Sequence, residues 1–330
     1  MKKILSTIIL AFLIMSPVVQ AQFNIHVVGA EGGFNSDNLS SYLLQHQDHP
    51  AQFLALDAGS LAPGIQKLIQ NNHYSFLEAG NIEFQVNEFI RNHIISYFIS
   101  HSHLDHLSGM IIHSPELLFV GKTPLIGTPK TIKEIQDHIF NSVIWADFFQ
   151  LGFFSPVAIS PANNFFTPLG ETGLIGRTFT LPHSGHHSSA LLVGKDERFV
   201  IYLGDMGADS IEESHLVENL WSEITPYIQK NQLAAIMIEV SFANCRKEQN
   251  LFGHLTPNLL FEELNVIKNK TSLSALQKIK IFITHIKPEP NACGIEHHSA
   301  KALIIKEIKE LNKNWQLDIV IPEQGQVYSI

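Results

Sequence analysis

Three imidazoles and a carboxylate crowd into six consecutive residues, His101-Ser102-His103-Leu104-Asp105-His106, directly after the apolar run Ile94–Ser100. The run is short and rich in β-branched and aromatic residues, which reads as a buried strand. The His-rich stretch then leaves the sheet edge as a loop and enters a helix, a rigid place to hold chemistry. Protonated rings this close would repel one another, and buried neutral ones would need partners. A divalent cation answers both demands. In an extended loop His101 and His103 point to one side and can share one cation, while Asp105 and His106 can reach a second. Imidazole with carboxylate suits zinc, with manganese or iron as alternatives. A chance cluster of surface histidines is the plainer explanation in a chain with 18 histidines. The ordered spacing H-x-H-x-D-H after a buried strand argues against it.

Residues 1–22 read as a secretory signal peptide: Lys2-Lys3, an apolar stretch from Ile4 to Val19, and the small-residue cleavage site Val19-Gln20-Ala21. An uncleaved anchor is the alternative, weakened by Ser6, Thr7, Ser16 and Pro17. The expected location is therefore periplasmic or secreted, with no membrane partner after cleavage. Residues 23–330 are expected to form one domain. Losing Lys2 and Lys3 leaves 20 basic residues, from 22, against 31 acidic ones, so the formal charge moves from −9 to −11. Such a balance disfavours a nucleic-acid polymer as partner. Of the two cysteines, Cys245 and Cys293, pairing and two buried thiols are both open.

Along the chain, strands are expected at 23–30, 38–44 and 53–59, with short turns that suggest an antiparallel start. Helices are expected at 64–71 and near 84–93. Thr131 is expected to cap a helix running to Phe149, with Glu134 completing a capping box. The pairs Phe148-Phe149, Phe153-Phe154 and Phe165-Phe166 read as core packing, or as rings that stack on a planar ligand. Residues 177–193 look like two strands joined by a His-rich turn. Further strands are read at 199–203, 233–240, 280–284 and 317–321, and helices from Pro257 and over 299–313. Strands first, then strands and helices mixed, fit two sheets sandwiched between helices, an α+β chain.

Separate strand ends thus carry His101, His103, Asp105 and His106, one of the histidines at 183–187, Asp205, and His285. His183 is favoured because it ends a strand; His186 and His187 stand in reserve. Asp205 between two cations is a natural bridge. Two cations sharing a water can activate it for in-line displacement at phosphorus.

His101 through Ser114-Pro115 resembles the signature of the class II cyclic-nucleotide phosphodiesterases of the metallo-β-lactamase superfamily. Blocks similar to that family's continue through Asn38–Ser41, Asp57-Ala58-Gly59, Ser188–Ala190, Gly204-Asp205, Ile238–Phe242, Gly253–Pro257 and Ile283–Pro288. The resemblance implies an αββα four-layer sandwich, the metallo-β-lactamase fold, two divalent ions, most simply Zn2+, and hydrolysis of cyclic AMP, with cyclic GMP as a second substrate, to the 5′-monophosphate. On this basis His101, His103 and His183 hold one cation, Asp105, His106 and His285 the other, and Asp205 bridges. Asp105, His254 and Glu239 are the expected catalytic residues, His254 as proton donor oriented by Glu239. Asp57 is expected to orient a ligating histidine. A homodimer is a permitted assembly. The rival readings are another hydrolase of the superfamily, acting on RNA 3′ ends, lactams, thioesters or sulfate esters, and a non-catalytic periplasmic zinc-binding protein.

Overall fold

The computed structural model describes residues 22–119, 121–289, 292–294 and 299–330, so the signal peptide expected at 1–22 lies outside the described residues save Gln22. The first sheet contains Phe23–Gly29 (β1), Ser41–His46 (β2), Phe53–Leu56 (β3), Ile94–Phe98 (β4), Thr123–Gly127 (β5) and Phe154–Ala158 (β6). The second contains Thr167–Pro168 (β7), Ile175–His183 (β8), His186–Lys195 (β9), Arg198–Leu203 (β10), Leu233–Glu239 (β11), Lys280–Thr284 (β12) and Asp318–Val320 (β13). Val327–Ser329 (β14) returns to the edge of the first sheet, antiparallel to β1. The sheet orders are β14-β1-β2-β3-β4-β5-β6 and β13-β12-β11-β10-β9-β8-β7.

Alternation along the strands sorts the apolar residues into three layers. Leu54 and Leu56 on β3, with Ala235 and Met237 on β11, fill the space between the two sheets. Phe53 and Ala55 face helices on the outside of the first sheet. Ile236 and Ile238 face helices outside the second. Helix, sheet, sheet, helix is the four-layer αββα arrangement that the sequence leads one to expect. The antiparallel start is present in β1-β2-β3, and β3 through β6 then run parallel.

Several element boundaries differ from the sequence reading. The strand expected at 38–44 begins at Ser41, because Asn38 is occupied in a bend: its side chain and its carbonyl both accept from Ala30 N. The helix expected from Thr131 to Phe149 spans Pro129–His138, and its cap is Thr128, whose hydroxyl accepts from Thr131 N. Beyond it, Asn141 accepts from the amides of Val143 and Ile144, and Asp147 from those of Phe149 and Gln150. These local side-chain bonds compete with helix propagation and end it. Glu134 closes no capping box; it accepts from Ser102 Oγ and so ties down the His-rich loop. Cys245 and Cys293 are joined in a disulfide.

Candidate metal centre

Parallel strands place their C-terminal ends side by side, and this is where the side chains meet. Asp57 follows β3, residues 99–106 follow β4, Asp205 follows β10, Ser241 follows β11 and His285 follows β12, while His183 ends β8. The chain after β4 makes its turn at His103 and enters the helix Leu104–His113, which carries Asp105 and His106 in its first turn. Two glycines are required by this closeness. A Cβ on Gly32 would lie 2.3 Å from the His285 ring, and one on Gly253, at φ +77°, 2.6 Å from the backbone of His183.

Asp205 lies at the centre. Its Oδ2 is 3.3 Å from His285 Nε2, 3.8 Å from His101 Nε2 and 3.9 Å from His183 Nε2, and its Oδ1 is 3.2 Å from His106 Nε2. His183 Nε2 is 3.4 Å from His103 Nδ1, and His285 Nε2 is 3.2 Å from Asp105 Oδ2. Two donor groups result, His101/His103/His183/Asp205 and Asp105/His106/His285, with Asp205 also within reach of His285 and His254. The seven ligand-type residues read from the sequence are thus together.

Hydrogen bonds behind the rings fix which nitrogen faces inward. The Gly253 carbonyl can only accept, so His183 Nδ1–H donates to it at 2.8 Å and Nε2 turns its lone pair to the centre. Asp57 likewise takes His106 Nδ1–H at 2.7 Å. The hydroxyls of Ser100 and Ser241 donate to Asp57 and Glu239 and stand 3.0 Å from His101 Nδ1 and His285 Nδ1, where they can accept. These bonds at Nδ1 turn the Nε2 of all four imidazoles toward Asp205, the orientation that cation ligands need.

The fit to a divalent ion is visible in what remains unbonded. His101 Nε2, His106 Nε2 and Asp205 Oδ1 are buried without a hydrogen-bond partner among the described residues. Leaving such atoms unpaired is costly, and a cation coordinated by them removes the cost. Burial, reinforced by His106, holds His101 well below its ordinary value, and burial takes His183 down to about 4, so both stay neutral donors. Burial also opposes charge on His106, but the Asp205 and Asp57 carboxylates outweigh it and raise that ring. A cation in place of that proton satisfies the same carboxylates.

His254 Nδ1 lies 2.7 Å from Glu239 Oε1 and 3.8 Å from Asp205. Burial works against a charged ring there, yet Glu239 and then Asp205 hold it above its usual value. Of the reserve histidines, His187 Nε2 pairs with Thr128 Oγ1 at 2.6 Å, away from the centre, and His186 lines the cleft without joining a donor group.

The aromatic residues at 148–166 do not reach this cleft. Phe148 and Phe154 pack on Phe140 beneath the first sheet, and Phe166 packs on Phe199. Core packing accounts for these rings, Phe165 is instead exposed to solvent, and the planar-ligand alternative is corrected, since none of them lines the cleft. The cleft instead contains Phe252 and Lys287, which the sequence reading passed over. Lys287 had a signal, a cation two residues past a strand-end histidine. Phe252 had only its place beside Gly253-His254.

Comparison with known proteins agrees with this geometry. The profile of the class-II cAMP phosphodiesterases matches residues 23–325. A probable 3′,5′-cyclic-nucleotide phosphodiesterase of Yersinia pestis is 32% identical, covering 96% of this chain and 92% of its own length. A 3′,5′-cyclic-nucleotide phosphodiesterase of Aliivibrio fischeri is 31% identical over 92% of this chain and 91% of its own. Unliganded yeast PDE1 superposes with a TM-score of 0.82 at 22% identity, covering 94% of this chain and 100% of its own. The metallo-β-lactamase fold protein YhfI of Bacillus subtilis gives 0.59 at 15% identity, covering 93% and 99%. The fold is thus the metallo-β-lactamase sandwich, and the chain belongs to the class-II cAMP phosphodiesterase family.

Proposed function

We propose that this chain hydrolyses 3′,5′-cyclic nucleotides, cyclic AMP foremost, to nucleoside 5′-monophosphates at the centre built around Asp205. His101, His103 and His183 would hold one zinc ion, Asp105, His106 and His285 a second, and Asp205 both. When bound, such ions supply Lewis acidity at phosphorus and an activated water. The observation that carries the reading is the pairing of this donor set with a separate, buried His254–Glu239 couple. Glu239 takes the Nδ1 proton of His254, which orients the ring and leaves Nε2 for proton transfer. The 3′ oxygen leaves as an alkoxide, and His254 delivers its proton. Asp105 accepts from Gly33 N at 3.0 Å, which holds its carboxylate at the cleft. Lys287 adds a positive side chain to the same cleft, where an anionic diester must lie. A purely metal-storing protein has no need of the His254–Glu239 couple.

Residues 23–330 act as one catalytic unit in this reading. Export to the periplasm or the medium belongs to it too, and is supported by the Cys245–Cys293 disulfide, a bond kept in oxidising compartments.

Purified protein loaded with zinc should contain about two ions per chain, as a two-metal site requires, and convert cyclic AMP to 5′-AMP, with chelator abolishing turnover. A His254→Ala variant should keep its metal and lose about 10²–10⁴-fold in kcat. Absence of turnover of every 3′,5′-cyclic nucleotide by protein carrying both ions refutes the assignment. Full activity in the variant refutes the proton-donor role.

A further inference from the structure

We infer that Phe252 is the stacking platform for the nucleobase, and with it a specificity-determining residue; this rests on the hydrolysis proposed above. Phe252 is 59% exposed, although it lies between buried Leu251 and buried His254 of the centre. Its φ is +52°, a left-handed conformation that is an outlier for a bulky side chain. The turn over-determines it. His254 N donates to Leu251 O, Leu251 N donates to Glu248 O, and the carbonyl of Gly253 is held by His183. A rigid, strained turn that pushes a phenyl ring toward water rather than into a core is the kind of strain found where ligands bind.

The ring stands where two spaces join. One, of about 310 Å³, is the cleft of the centre, lined by His103, Asp105, His183, Asp205, His254 and Lys287. The other, of about 590 Å³, opens beside it, and Phe252 and Ser184 line both. The cyclic phosphate must sit over the Asp205 centre, and the base lies across the ribose from it. The wider space past Phe252 has room for a bicyclic base. Its wall includes Glu213, Glu248 and Gln249, side chains rich in acceptors. That wall suits a base with an exocyclic amine, and the ring supplies a flat apolar face for any base.

The test compares cyclic AMP with the same ribose 3′,5′-cyclic phosphate carrying a methyl group in place of the base. Zinc-loaded wild type should favour cyclic AMP in kcat/KM. Phe252→Ala should cut that preference by about ten- to a hundred-fold, chiefly through KM for cyclic AMP, as loss of a base-stacking ring predicts. Phe252→Tyr should retain the preference and Phe252→Leu should lose most of it; this pair decides the matter if the alanine variant fails to fold. A wild type without the preference, or variants that all keep it, overturn the inference while leaving hydrolysis standing. A wild type that turns over neither diester overturns the hydrolysis as well.

Discussion

Asp57 does not line the cleft, yet one of the rings around Asp205, His106, depends on it. Its fully buried carboxylate sits at φ +55° and accepts from Ser100 N, Ser100 Oγ, Tyr202 OH and His106 Nδ1, at 2.6–2.7 Å. Replacing it by asparagine puts an amide donor among four donors and releases the tautomer of His106. Asp57→Asn should therefore weaken metal affinity or activity by about 10–100-fold, as loss of such outer partners does. Competitive chelator titration measures this, and unchanged affinity would contradict the role. Asp57 was legible as a carboxylate at a strand end. Ser100, Ser241 and Tyr202 were not, because a hydroxyl has no spacing signature and its value depends on which imidazole is brought beside it. His254 and Glu239, by contrast, were read as a couple and do meet.

The helix Pro129–His138 follows β5 and stands beside the His-rich loop, which it anchors through Glu134. Its cap is Thr128, so Thr128→Ala should cost about 1 kcal/mol, the usual loss for a capping hydroxyl. Urea denaturation followed by circular dichroism would show it, and an equally stable variant would argue that proline at the first helical position suffices. The sequence reading took Thr131, because Thr131-x-x-Glu134 has the capping-box spelling, and passed over Thr128-Pro129, which carries the proline signal. Local spelling cannot choose between them. The choice falls to Thr128 because β5 ends at Gly127 and the helix starts at once. Long, strongly patterned elements such as β1, β8, β9 and the helix Ala300–Asn312 were legible to within a few residues. The short β14 was not, since three residues are too few to show a period, and Val327–Ser329 becomes a strand by pairing with β1.

At the scale of the whole molecule, three apolar layers hold two sheets in one register, and polar groups caught in them make stability depend on pH. His26 on β1 is buried against Phe53 and Tyr74, and burial, helped by His73, lowers it from 6.5 to about 3. The unfolded chain therefore binds this proton first as pH falls. The fold keeps its full stability above about 6.5 and loses a few kcal/mol as pH drops toward 3. His26→Gln should flatten that part of the denaturation midpoint against pH, and an unaltered slope would rule out His26 as its source. The residue types themselves determined the donor chemistry, the places where strands end and the layering of apolar faces, because these follow from side-chain chemistry and the short-range periodicity of the backbone. Only the folded chain decided that His183 rather than His187 joins the centre, which nitrogen each ring presents, and that Phe252 lines its cleft. Asp105 and His285 are 180 residues apart, and what makes them neighbours is the order and register of the strands, which no local stretch of sequence encodes.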